Sequence, residues 1–180
     1  MIGVLVSGEG TNLQALLDAG LPVVAVASNR AGARALARAD AAGVDAAAFP
    51  LEEFDDRPAR DAAMADWIAE HGARWVVCAG YMHLLTPAFL DRFGGRIVNT
   101  HSAPLPAFPG AHPIEDVLAA GVAETAATVH FVDEGIDSGA VIAAEPVPVL
   151  ADDTAATLRA RVQAVEHELL PRVVRELIAA

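Results

Sequence analysis

Short runs of uninterrupted apolar residues recur along this chain, and segments of helical pattern separate them. Ile2–Val6, Val23–Ser28 and Trp75–Ala79 carry almost no polar side chains. A strand with one face in water alternates polar and apolar residues, whereas a run without alternation has both faces buried. Doubly buried strands followed by helices specify a mostly parallel sheet covered on both sides, the doubly wound α/β architecture. Helices are expected at about Leu13–Ala19, Ala31–Ala42, Arg57–Glu70, Pro87–Phe93, Ile114–Ala120 and Ala155–Ile178, with Pro171 a candidate kink in the last. Ala46–Phe49 and Arg96–Asn99 add short strands. Thr125–Val132 alternates and Ala140–Val149 follows it closely, so this late pair is expected to be antiparallel. In such sheets ligands lie beyond the carboxyl ends of the strands.

With 180 residues, 54% of them hydrophobic, the chain fills one ordinary core, and no run approaches the length of a membrane span. The first residues carry neither a basic leader nor a signal stretch, which leads us to expect a soluble, cytoplasmic protein. The net charge of −12, without a basic stripe, argues against nucleic-acid and membrane partners. All 12 basic residues are arginine. That rules out Schiff-base lysine chemistry and the lysine-dependent phosphate loop. The one cysteine, Cys78, lies in an apolar run and reads as a small buried side chain.

Ser7-Gly8-Glu9-Gly10-Thr11-Asn12 sits between the first strand and the first helix. Glycines admit close backbone approach, and a helix N-terminus offers unpaired N–H groups to an anion. A dinucleotide fingerprint fails in detail: Leu13 occupies its third glycine position, and Ser28-Asn29-Arg30 supplies no acidic residue for a ribose. Arg30 keeps a 2′-phosphate site open, and a purely structural turn also remains. A phosphate monoester is the preferred ligand.

Asn99 and His101 are two apart at a strand end, so they share a face. The amide is a donor for a developing oxyanion and the imidazole a proton carrier. The proline-rich segment Ser102–Gly110 reads as a rigid loop. Asp133–Gly139, joining the two late strands, is either a solvated turn or the carrier of a carboxylate that orients His101. His71, His83, His101, His112, His130 and His167 show no metal-binding spacing, so no metal is expected.

Taken together, Ser7–Ala15, Ala79-Gly80-Tyr81-Met82, Asn99-x-His101, Leu105-Pro106-x-Phe108-Pro109-Gly110 and His130-Phe131-Val132 with Asp137-x-Gly139 resemble the phosphoribosylglycinamide formyltransferases, folate-dependent enzymes of de novo purine synthesis. The resemblance runs from Met1 to the last helix. It implies a single Rossmann-like formyltransferase domain over residues 1–180, small-molecule substrates, and 10-formyltetrahydrofolate as co-substrate; a homodimer is left open. By the same resemblance Asn99, His101 and Asp137 are catalytic, with His101 as the acid. Gly10, Thr11 and Asn12 hold the substrate phosphate, and Glu166 contacts the ribose. Arg57, Met82, His83, Leu84 and Leu85, with Asp133, Glu134, Gly135 and Ile136, line the folate site. Two positions depart from the pattern: His83 replaces an arginine, and Ser102-Ala103-Pro104 replaces a Pro-Ser/Ala-Leu sequence. A hydrolase or another formyltransferase with the same three residues remains an alternative, as does a non-catalytic nucleotide-binding module.

Overall fold

A computed structural model describes all 180 residues. The strands are β1 (Ile2–Val6), β2 (Val23–Ser28), β3 (Asp45–Ala48), β4 (Trp75–Cys78), β5 (Ile97–His101), β6 (Glu124–Phe131) and β7 (Val141–Pro148). The helices are α1 (Thr11–Asp18), α2 (Arg34–Ala41), α3 (Arg57–Glu70), α4 (Pro87–Phe93), α5 (Pro113–Ala120) and α6 (Ala155–Ala179). The strand order is β3-β2-β1-β4-β5-β6-β7, and the chain divides into two compact units, Met1–Val98 and Asn99–Ala180.

In the first unit β1 runs parallel to both β2 and β4, with Val4 opposite Val26 and Val77, and β2 runs parallel to β3. All five residues of β1 are buried, the burial expected of an interior parallel strand. Leu13 and Leu16 of α1, Met64 and Ile68 of α3, and the stacked pair Phe89 and Phe93 of α4 complete this core. Cys78 is buried and free, and burial pushes its thiol up to about 12.

In the second unit β6 and β7 are antiparallel, as their spacing predicts, with Thr128 opposite Ala144. A register shift between Val129 and His130 interrupts the ladder. Such a bulge re-aims the side chain beside it. The final helix opens on a capping box between Thr154 and Thr157 and continues through Pro171. Leu158, Val162, Leu170 and Val174 recur every fourth residue or its double along its buried stripe. Glu166 occupies the same stripe.

Several boundaries differ from the sequence expectation. Thr11 already begins α1, two residues early, because Gly10 supplies the N-cap. Helix α2 starts at Arg34, not Ala31, since Arg30–Ala33 closes a turn through the Ala33 N–H and the Arg30 carbonyl. Strand β5 extends to His101, so Asn99 and His101 lie inside it. Ladder hydrogen bonding uses the backbone and tolerates polar side chains that local pattern marks as a strand end.

Candidate active site

Asn99 and His101, on one face of β5, meet Asp137 within the second unit. The Asp137 carboxylate lies 3.5 Å from His101 Nδ1 and, through its other oxygen, 3.5 Å from His130 Nε2. The Gly110 N–H donates to it at 2.8 Å. Burial pushes the Asp137 carboxyl up. The proximity of His130, the Gly110 hydrogen bond and the proximity of His101 more than offset this, leaving it below its ordinary value. An ionised carboxylate thus sits between two imidazoles.

The hydrogen bonds also assign ring protons. Only an N–H can face a carbonyl, so His101 Nε2 donates to the Phe108 carbonyl at 2.7 Å, and Nδ1 is the nitrogen turned to Asp137. His130 Nδ1 likewise donates to the Phe131 carbonyl at 2.8 Å. In the neutral ring, Nε2 then accepts from Asn99 Nδ2 at 3.1 Å. The same Asn99 Nδ2 lies 3.5 Å from Asp137, at the outer limit of a hydrogen bond, so its amide is only partly engaged there. His101 Nδ1 therefore faces a carboxylate, while Asn99 offers a neutral donor beside it.

Backbone strain concentrates here. Phe108 and Asp137 are the two non-glycine residues at positive φ, 55° and 49°. Phe108 is the costlier, being bulky in a conformation that favours glycine, and it presents the carbonyl that His101 uses. Leu105–Pro106 is cis. In the acidic loop Asp133 accepts from Ser138 Oγ at 2.7 Å and from the Gly135 N–H at 3.0 Å. Those bonds hold its carboxyl below the ordinary range, the Ser138 bond most of all. A Cβ on Gly139 would lie 1.8 Å from the Phe131 carbonyl oxygen, so only glycine lets the loop return to β7. Asp133, Glu134, Gly135 and Ile136 are exposed, Ile136 to 56%.

Ser102 Oγ donates to Glu166 at 2.6 Å, and Glu166 is only 3% exposed. Nothing local in the sequence marks this pair.

In the first unit the Ser7–Asn12 loop leads into α1 across Gly10, at φ 75°. A Cβ there would lie 2.5 Å from the Ala35 side chain, so close packing and backbone conformation both demand glycine. Arg38 Nε donates to the Glu9 carbonyl at 2.8 Å and Arg34 pairs with the Glu9 carboxylate at 3.0 Å, tying the loop to α2. The first turn of α1 holds no acidic side chain that would compete with a bound anion. Thr11 opens that turn, and Asn12 is buried in it.

The same unit fastens residues 82–86. The Met82 N–H donates to Ser7 Oγ at 2.9 Å, and Ser7 donates to Asn29 at 2.6 Å. His83 Nδ1 lies 3.0 Å from Arg60, and its Nε2 lies 3.3 Å from the Asn29 amide. An arginine and an amide NH2 only donate, so donors face both ring nitrogens, Arg60 at Nδ1 and Asn29 Nδ2 at Nε2, an environment that disfavours a doubly protonated ring. Burial and the charges of Arg60, Arg57 and Arg30 lower its basicity, with Asp61 opposing. Arg57 donates to the Leu84 carbonyl, and the Thr86 N–H donates to Asp61 at 2.8 Å. Arg60 and Asp61 form an ion pair at 2.7 Å with both side chains fully buried. Met82 and Leu84 project to solvent, 57% and 49% exposed, whereas Leu85 is buried.

The structure therefore gathers Asn99, His101 and Asp137 within one unit and Arg57 with 82–85 within the other. His130, Ser102, Arg60, Asp61, Asn29 and the Phe108 carbonyl join them without having been singled out as functional groups from sequence. His130 alternates with Thr128 along β6, a signal that was available. Arg60 and Asp61 lie in the expected helix Arg57–Glu70, and nothing local in the sequence marks them as buried. No group of three or more His, Cys, Asp or Glu side chains is arranged to hold a metal ion, and no helix is long and apolar enough to cross a membrane.

Residues 1–174 match the formyl transferase family. The chain is 45% identical over 179 residues to a phosphoribosylglycinamide formyltransferase of Mycobacterium tuberculosis, covering 97% of this chain and 83% of that protein. It is 37% identical to a trifunctional purine biosynthetic protein adenosine-3 of Chironomus tentans, matching 97% of this chain but spanning only 13% of that longer protein. The crystal structure of phosphoribosylglycinamide formyltransferase from Streptococcus pneumoniae superposes with a TM-score of 0.94 at 44% identity, covering 98% of both chains.

Proposed function

The chain belongs to the formyl transferase family, and from that membership we propose that it is a phosphoribosylglycinamide formyltransferase, moving a formyl group from 10-formyltetrahydrofolate to the amino group of 5′-phosphoribosylglycinamide. The observation that carries this reading is the Asp137 carboxylate within 3.5 Å of both His101 and His130, with Asn99 alongside. We read residues 1–180 as one formyltransferase domain of a cytoplasmic enzyme that takes small-molecule substrates, not nucleic acid or membrane; a homodimer is compatible with this reading.

The folate co-substrate supplies an activated formyl carbon on a nitrogen leaving group. Met82 and Leu84 in the first unit and Ile136 in the second are large apolar side chains left in water, each suited to contact with a flat ring system. Arg57, His83 and Leu85 hold the segment that carries two of them, and Asp133, Glu134 and Gly135 shape the loop that carries the third. Gly10, Thr11 and Asn12 take the phosphate of the acceptor, and Glu166 takes its ribose hydroxyls.

His101, protonated at both nitrogens and paired with Asp137, donates to the oxygen on which negative charge develops as the acceptor amine attacks. The formyl oxygen takes over or shares the Nε2 proton now given to the Phe108 carbonyl, since the Nδ1 proton faces Asp137. Asn99 contributes an N–H of its partly engaged amide to the same oxygen. Asp137 keeps the imidazolium charged. Amine attack opens the C=O bond and forms the new C–N bond; as the oxyanion collapses, the bond to the folate nitrogen breaks and the amine proton ends on that nitrogen. Electrostatic stabilisation of this kind costs roughly 10²–10³ in rate per donor removed. His101→Ala is accordingly expected to lose at least that factor while retaining the wild-type circular dichroism. The deciding assay follows folate deformylation with and without phosphoribosylglycinamide. Acceptor-dependent turnover supports the transferase; equal turnover without acceptor makes the enzyme a hydrolase.

A further inference from the structure

We propose that Ser102 is a positioning residue for recognition of the acceptor's ribose, acting through Glu166. The inference rests on the reading of Glu166 as the ribose contact.

Glu166 occupies the apolar stripe of α6, one turn from Val162 and one turn from Leu170, where a carboxylate is expensive to desolvate. Its burial demands a donor of fixed direction. Ser102 supplies one: the 2.6 Å separation is in the short range of hydroxyl-to-carboxylate bonds, which are stronger than neutral ones. The donor is also well anchored. Ser102 directly follows His101 at the end of β5, and the next residue, Ala103, is fully buried with its carbonyl accepting from Thr128 Oγ1 at 2.7 Å. The hydroxyl is thus carried by backbone that cannot drift, and it constrains the rotamer of the carboxylate 64 residues further along the chain. A proline or alanine at this position supplies no such proton. A buried carboxylate preset in one rotamer binds a vicinal diol without first ordering itself, so the benefit falls on binding and not on the chemical step.

The test is steady-state kinetics on the full chain with phosphoribosylglycinamide varied at saturating formyl donor. Ser102→Ala is expected to raise KM for this acceptor about tenfold, the effect of one lost bond to a charged group, and to leave kcat and the KM for folate little changed. Ser102→Thr, which restores the hydroxyl, is expected to restore KM. Glu166→Gln is measured in parallel. If it raises the acceptor KM and Ser102→Ala does not, the role of Ser102 is overturned while the ribose reading stands. If neither variant changes KM, the ribose reading fails and takes this inference with it. A fall in kcat in Ser102→Ala that Ser102→Thr does not repair identifies a merely structural residue and also overturns the proposal.

Discussion

Two imidazoles face opposite demands in this protein. His101 has an acceptor at each ring nitrogen, the Asp137 carboxylate at Nδ1 and the Phe108 carbonyl at Nε2. His83 has a donor at each, Arg60 at Nδ1 and Asn29 Nδ2 at Nε2, so an extra proton is disfavoured there. With its folded-state value below the ordinary 6.5, His83 contributes stability in full above that pH. The contribution fades as pH falls from 6.5 through the folded value, since the unfolded chain takes up the proton first. Melting temperature measured from pH 7.5 to 5 should therefore fall less steeply in His83→Gln, whose amide oxygen still accepts from Arg60, than in wild type. Identical slopes would show that the ring is not clamped in its neutral form.

At the scale of elements, α3 serves as a bracket. It faces the core with Met64 and Ile68, and it also sends Arg60 and Asp61 inward to hold His83 and the Thr86 backbone. Removing one member of a fully buried ion pair strands the other, which typically costs about 3–5 kcal/mol. Arg60→Met should show that loss in chemical denaturation. A loss under about 1 kcal/mol would mean that water reaches Asp61. The junction of β1 and α1 is equally exacting. Gly10→Ala combines a positive φ with a clash against α2, so a destabilisation of about 1–3 kcal/mol is expected. Because the same turn is assigned to the phosphate, acceptor KM should rise in the refolded variant.

Over the whole molecule the net charge is −12. Such a protein repels polyanions at long range, and its cations act only locally, as Arg34 and Arg38 do around Glu9. It should pass through a heparin column at about 0.05 M salt, where screening is weak, and heparin should not inhibit it. Retention above about 0.15 M would reveal a cationic face that the composition does not suggest.

How much of this was legible beforehand follows from the range of each interaction. The expected span of α3, Arg57–Glu70, and of α4, Pro87–Phe93, matched to the residue because caps, prolines and periodicity are local. The ends of α1, α2 and β5 shifted because turns and ladders decided them. The parallel core around β1 was likewise written in unbroken apolar runs, and the late antiparallel pair in alternation and close spacing. Asn99 and His101 could be paired from spacing alone, and resemblance added Asp137. What the sequence could not express was who donates to whom. The hydroxyl of Ser7 meets the Met82 amide across 75 residues, and Ser102 meets Glu166 across 64. Hydropathy pattern depends on neighbours a few positions away and so determines the elements. Hydrogen-bond partnership is short-ranged in space but unrestricted in sequence, so the donors around His83, the tautomer of His130, the bond from His101 to the Phe108 carbonyl and the buried seat of Glu166 were decided only when the chain had folded.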